Sequence, residues 1–193
     1  MEYVVAALIG YLVGSIPFAP LVAARHGVDL RRTADGNPGA WNALEQLGAR
    51  RAWPAFAGDG LKGLVAGLAG VAIGGVWVGY AGVAGAMAGH AWPLFARLRG
   101  GKAVMTFAGG MFAVAPVAAA AALALCVVVS LAARSFAWGA RAGIAAVAVL
   151  QLAFDGPRPT AATGGLMCLI GLLFLARRSG ARATPAPGAA PPR

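Results

Sequence analysis

The stretch "AVMTFAGGMFAVAPVAAAAALALCVVVSLAA", residues 103–133, carries no charged side chain, and the number of times it crosses an apolar layer decides the fold. As one α-helix it would reach roughly 46 Å at 1.5 Å per residue, against a hydrocarbon core of about 30 Å. A single crossing would also put Arg134 and Arg141 on the face opposite Arg97, Arg99 and Lys102. The ring of Pro116 disfavours a continuous helix, and the residue before it, Ala115, is pushed towards extended backbone. Two short, closely paired segments are therefore expected, reversing near Ala115–Pro116 and returning to the face they left.

The rest of the chain supports a membrane setting. Of its 193 residues 60% are hydrophobic and only 11% charged, with a mean hydropathy of +0.74; soluble domains carry roughly a quarter charged residues. Lys and Arg fall in clusters at 25–32, 50–51, 97–102, 134–141 and 177–182, and such clusters gather on the cytoplasmic side of spans. The net charge of +10 thus sits at span ends, and no nucleic-acid partner is expected. Tyr3–Ala24 has Glu2 ahead of it and Arg25, Arg31 and Arg32 behind. That is the reverse of a cleaved signal peptide, so a retained span with its N-terminus outside is expected.

The run Trp53–Phe95 turns near Gly74–Gly75 and supplies two spans; Ala142–Phe154 goes out, "DGPRP" (155–159) turns, and Thr160–Ala176 returns. The expected fold is an all-α, polytopic transmembrane bundle of about seven membrane segments with a short interfacial helix. The N-terminus lies outside; the C-terminus and the site are cytoplasmic, with Arg158 alone against the charge rule. Pairs such as Gly63 and Gly67 permit close helix contact. Residues 1–183 read as one integral-membrane domain, and 184–193, "TPAPGAAPPR", as a disordered tail. Cys126 and Cys168 lie in apolar runs without metal-ligand spacing.

Three cytoplasmic stretches look suited to an anion. In "RLRGGKAV" (97–104) the backbone N–H groups of Gly100 and Gly101 are expected to form a nest, with Lys102 in the first turn of the next helix; a positive-inside flank with a glycine turn is the plainer reading. Ala96 stands where a Walker A loop needs glycine. In "GVDLRRTADGNPGAWNALEQLG" (27–48) a helix is expected with Asn37 as N-cap, Pro38 at its first position and Gly48 beyond its end. Trp41, Leu44 and Leu47 would lie on the membrane while Asn42, Glu45 and Gln46 face water, which an interfacial connector explains without any ligand. In "GDGLKGL" (58–64) Asp59 and Lys62 stand one turn apart at the entrance to a span, suited to a structural ion pair. By spacing alone His90 is a packing residue. With no charged residue expected at mid-membrane depth, a transport path is disfavoured, and the residues five positions after His26 and His90 are Arg31 and Phe95, which excludes a His-x-x-x-x-Asp acyltransferase.

Taken together, Gly14–Phe18 ("GSIPF"), Gly27, Asp29 and Arg31, then Gly36, Asn37, Gly39, Ala40 and Asn42 form an ordered set. It continues with Asp59–Gly63 ("DGLKG"), Gly89, His90, Pro93 and Phe95, and then Gly100, Gly101, Lys102, Val104 and Thr106. In order and spacing the set resembles the bacterial membrane family of acyl-phosphate-dependent glycerol-3-phosphate acyltransferases, over roughly residues 10–110.

The resemblance implies a seven-segment bundle, no cofactor and no metal, and transfer of a fatty acyl group from acyl phosphate to glycerol 3-phosphate, giving lysophosphatidate in phospholipid synthesis. Membrane lipids are the remaining partners implied; nothing in the chain speaks to oligomeric state. It assigns catalysis to Lys102, Asn37 and His90, and phosphate binding to Gly100, Gly101, Lys102, Thr106, Gly36, Asn37 and Asn42, with Arg177 as a further cation. Asp35 and Glu45 stand where the family has Ser and Arg, Ala140 where it has Ser, and Arg177 and Gly180 where it has His and Asn. The two acids are expected to repel phosphate. The alternative reading is a catalytically silent relative that binds lipid or acyl phosphate, or that partners an active acyltransferase.

Overall fold

The structure, a computed structural model, describes residues 1–182; the tail 184–193 lies outside the described residues. The described residues are all-helical: α1 (Glu2–Gly14), α2 (Phe18–Ala24), α3 (Ala40–Leu47), α4 (Ala49–Gly74), α5 (Val76–Ala91), α6 (Val104–Val114), α7 (Pro116–Ala132), α8 (Phe136–Asp155) and α9 (Pro157–Arg182). Short 3₁₀ turns at Leu30–Arg32 and Leu94–Ala96 sit in the connections. Glu2–Ala24, Ala49–Gly74, Phe136–Asp155 and Pro157–Arg177 are long and apolar enough to cross a membrane, and α6 and α7 are shorter apolar helices. Large side chains such as Leu8, Val128, Leu131, Val149 and Leu172 point outward. That is favourable where the surroundings are lipid tails as apolar as leucine.

The reversal falls at Ala115–Pro116: α6 ends at Val114, Ala115 is extended at φ −148°, and Pro116 opens α7, where its missing N–H costs nothing. The two halves are not the closely paired hairpin expected. Instead α6 lies along α4, and α7 along α8. Small residues select these partners, since a Cβ on Gly63 of α4 would stand 1.9 Å from the Thr106 carbonyl oxygen of α6. The backbones could not come that close with a larger residue.

Three further expectations are corrected. The first span is broken at Ser15–Pro17, and the Ile16 carbonyl freed there accepts a hydrogen bond from Lys62 Nζ at 3.2 Å. α4 begins at Ala49 and takes Arg50 and Arg51 into its first turn, so Asp59 and Lys62 lie midway along it and not at its entrance. A buried charged pair therefore sits well inside a span, contrary to the reading of an uncharged interior. α3 begins at Ala40 with Gly39 as N-cap, because Asn37 is held in a turn by its own N–H, which donates to Asp35 Oδ1 at 3.1 Å. Its buried face is Ala40, Asn42 and Ala43, so Asn42 faces the protein and Trp41 the outside.

Candidate active site

Three distant segments meet at one end of the bundle: the connection 25–39, the loop 92–103, and α9 near Arg177. The loop is shaped by its glycines. Gly100 N–H donates to the Ala91 carbonyl at 3.2 Å and Gly101 N–H to the His90 carbonyl at 3.1 Å, capping the end of α5. These donors are already used, so the expected N–H nest for phosphate does not form. A Cβ on Gly100 would stand 1.9 Å from the His90 oxygen, and one on Gly101 2.2 Å from His90 Nε2; the pair is glycine because the loop presses on His90. Arg97, Leu98 and Ala103 take left-handed backbone at φ 55°, 58° and 59°. Each such non-glycine residue costs about 1 kcal/mol or more, a strain found mostly at functional sites.

Lys102 precedes α6, whose N-cap is Ala103, and is not in its first turn. Its Nζ donates to Asp35 Oδ2 at 2.9 Å and lies 4.7 Å from the centre of the Phe174 ring. Partial burial raises the pKa of Asp35, but the Lys102 bond and the Asn37 N–H outweigh it and hold the carboxyl below its ordinary 3.8. A depressed carboxylate contributes stability above its unfolded value and loses it as pH falls through the folded one, so the pair is intact at neutral pH and opens only in acid. With the Asp35 side chain 49% exposed, the bond is worth about 1 kcal/mol at most.

Arg177 joins the three segments. One of its nitrogens donates to the Gly100 carbonyl and, at 3.3 Å, to Asn37 Oδ1; the other donates to the Ala91 carbonyl at 2.9 Å. Arg31 reaches across to the Ala96 carbonyl at 3.3 Å. Asn42 is buried, its Nδ2 within 3.2 Å of the carbonyls of Leu30, Thr33 and Asn37. Those bonds shape the connection. Gly36 is a turn residue at φ 68° whose N–H donates to the Thr33 carbonyl. Thr106 is fully buried where α6 crosses α4.

Beneath the loop, Asp59 Oδ1 lies 2.9 Å from Lys62 Nζ and 3.5 Å from His90 Nδ1, all three side chains buried. With the Lys62 bond to Ile16, this triad ties the break between α1 and α2 to α5 just ahead of the loop. His90 therefore acts as a support to Gly101.

Glu45, expected to repel phosphate, accepts from Trp41 Nε1 at 2.7 Å on the exposed side of α3. Trp41 in turn stacks on Phe136 of α8 at 5.8 Å, with Phe56 against the same ring at 5.7 Å. The sequence reading missed Phe174 and this aromatic cluster. Phe174 stands one turn before Arg177, a spacing that could have flagged it. Ala140 lines an apolar groove between α6 and the α7–α8 pair, whose lining on α6 starts at Val104 and Met105, just after Lys102 in the chain.

The chain matches the family model described as glycerol-3-phosphate acyltransferase over residues 4–182. It is 42% identical over 135 residues to a glycerol-3-phosphate acyltransferase of Rubrobacter xylanophilus, covering 69% of this chain and 68% of the relative. It is 34% identical over 158 residues to glycerol-3-phosphate acyltransferase 2 of Moorella thermoacetica, covering 81% of each. Among solved structures, the glycerol 3-phosphate form of PlsY, an integral membrane glycerol 3-phosphate acyltransferase, superposes with a TM-score of 0.78 at 28% identity. That match covers 93% of this chain and 90% of the other. The lysophosphatidic acid form gives 0.74 at 27%.

Proposed function

The chain belongs to the glycerol-3-phosphate acyltransferase family, and on that premise we propose that it takes its acyl group from acyl phosphate, with Lys102 as the cation that meets phosphate and Arg177 ordering the loop beside it. The observation that carries this reading is the meeting of Lys102, Arg177 and Asn37 at one loop that leads straight into α6, whose first residues, Val104 and Met105, line an apolar groove. An acyl phosphate needs that combination, a charged head beside a long hydrocarbon.

In the proposed reaction the 1-hydroxyl of glycerol 3-phosphate attacks the carbonyl of the mixed anhydride. The new ester bond forms, the carbonyl–phosphate bond breaks, and the hydroxyl proton ends on the departing phosphate. No acyl-enzyme is needed, because the donor is already activated; positioning and charge stabilisation suffice. Lys102 would neutralise charge that grows on the leaving phosphate once Asp35 has been displaced from it. Arg177 holds Asn37 and the Gly100 carbonyl in register. His90, with Asp59 behind it, supports the loop and does not exchange protons with substrate.

Purified protein in liposomes, given acyl phosphate and glycerol 3-phosphate, is expected to release phosphate and form lysophosphatidate; no turnover would overturn the reading. In the same assay Asp35→Ser should lower the KM for acyl phosphate about three- to fivefold, the worth of an exposed ion pair of up to ~1 kcal/mol. Glu45→Arg, acting on the far side of α3, should change it less than about twofold. An unchanged KM in Asp35→Ser would mean that Lys102 does not receive the phosphate.

The site is placed on the cytoplasmic face because the cation clusters gather there, which puts the N-terminus outside and α9 ending inside. Ala133→Cys, in a background with Cys126→Ala and Cys168→Ala, should be labelled by an impermeant thiol reagent only in inverted vesicles. Labelling from the outer face of intact cells would reverse the orientation.

A further inference from the structure

The groove between α6 and the α7–α8 pair has a cavity volume of about 150 Å³, is open to the side, and its lining is almost wholly apolar. From Phe136 at one end to Val147 at the other it follows α8 for roughly 16 Å. Its far end is formed by Met111, Ala119 and Val147. Behind that end lies a buried polar cluster that the proposed chemistry does not use. Gln151 Nε2 donates to the Tyr80 hydroxyl at 2.7 Å, Tyr80 donates to the Pro159 carbonyl at 3.2 Å, and Thr163 donates to Gln151 Oε1 at 2.5 Å. Gln151 and Thr163 are wholly buried, and each of these donors has its own acceptor. The cluster backs directly onto the groove: Gln151 stands one turn beyond Val147, and Met111 Sδ lies 3.8 Å from Thr163 Oγ1.

We propose that this cluster is a rigid floor to the acyl groove, and that Met111 and Val147, which rest on it, set the upper limit of acyl-chain length. The inference rests on the reading that acyl phosphate is the donor with its phosphate at Lys102. The occupant is the donor's own acyl chain, because the groove lining starts at Val104 and Met105, two residues along the chain from the cation that would hold its head.

Selection by such a groove has a particular form. Bilayer tails are as apolar as the lining, so moving a methylene from lipid into the groove gains little. Short chains are therefore not penalised, and discrimination can come only from exclusion at the closed end. An apolar floor alone would yield by rotamer changes. A floor pinned by satisfied hydrogen bonds where no water can replace them does not. Activity should stay level with increasing length and then fall sharply, since one methylene too many at a fitted wall is worth tenfold or more.

The test uses the full chain in liposomes with saturated acyl phosphates graded from decanoyl to stearoyl. Val147→Phe should move the fall to shorter chains, with kcat/KM for the longest donors down about tenfold and decanoyl phosphate within twofold. Met111→Ala should move it to longer ones. Turnover with the same length profile in wild type and both variants overturns the inference and leaves the donor assignment standing. No turnover of any acyl phosphate by the wild type overturns both. As a second measurement, the longest acyl phosphate that the wild type turns over, carrying a terminal diazirine, should crosslink near Met111 and Val147 and be competed by unlabelled acyl phosphate. Crosslinking there that only phospholipid competes would give the groove to bilayer lipid and overturn the inference.

Discussion

Asp59→Asn is expected to cost about 3–5 kcal/mol of stability, the penalty for leaving a buried charge without its partner. Lys62 Nζ sits 2.9 Å from Asp59 Oδ1 midway along α4, with both side chains only 2% exposed. Once the carboxylate is neutral, Lys62 keeps, among the described residues, the amide oxygen and the Ile16 carbonyl at 3.2 Å as acceptors. For a chain of this size the loss corresponds to a fall of roughly 10 °C in Tm, read by thermal unfolding in one detergent. Removing both charges separates charge pairing from packing. Asp59→Leu with Lys62→Met should recover most of the stability, since apolar replacement of a buried pair is often neutral. A melting temperature unchanged in Asp59→Asn would show that the pair is solvated and the span placed differently. Because the triad supports the loop through His90, the double variant should also raise KM while remaining folded.

Lys102→Ala should lower kcat/KM by about two to three orders of magnitude, the usual cost of removing one preorganised donor from the charge that develops in a transition state. Its effect on stability should be small. Lys102 contributes an exposed bond to Asp35 and a contact with the Phe174 ring, each worth about 1 kcal/mol or less. Lys102→Ala is thus read mainly in turnover and Asp59→Asn mainly in stability, which makes each the control for the other. Lys102→Arg should rescue only partly, because the planar fork does not occupy the place of a compact ammonium above Phe174. Liposome turnover preserved in Lys102→Ala would move the phosphate site away from the loop.

What could be read from the chain was whatever depends on length, charge and a single residue's backbone. The uncharged run 103–133 was too long to cross once, and Pro116 marked where it turns. The motif set, read in order, pointed to the family. Helix ends were less legible: Asn37 and Pro38 look like a cap and first turn, but the Asp35 side chain takes the Asn37 N–H and delays α3 to Ala40.

Only the tertiary structure decided what each polar residue does, because a side chain's role depends on partners far away in sequence. Gly100 and Gly101 have N–H groups fit for an anion until α5 ends beside them and its carbonyls accept both. Asn42 follows the water-facing pattern of α3 until the connection folds over it. Asp35 and Glu45 are both acids at altered positions, yet one lies on Lys102 and the other on Trp41, a difference set by where α3 packs. Arg177 and Asn37 are 140 residues apart and meet because the packing of the helices brings both to the same end of the bundle. Hydrophobic length and charge order act locally and survive in the sequence as pattern; hydrogen bonds between distant segments depend on ångström distances that no pattern along the chain records.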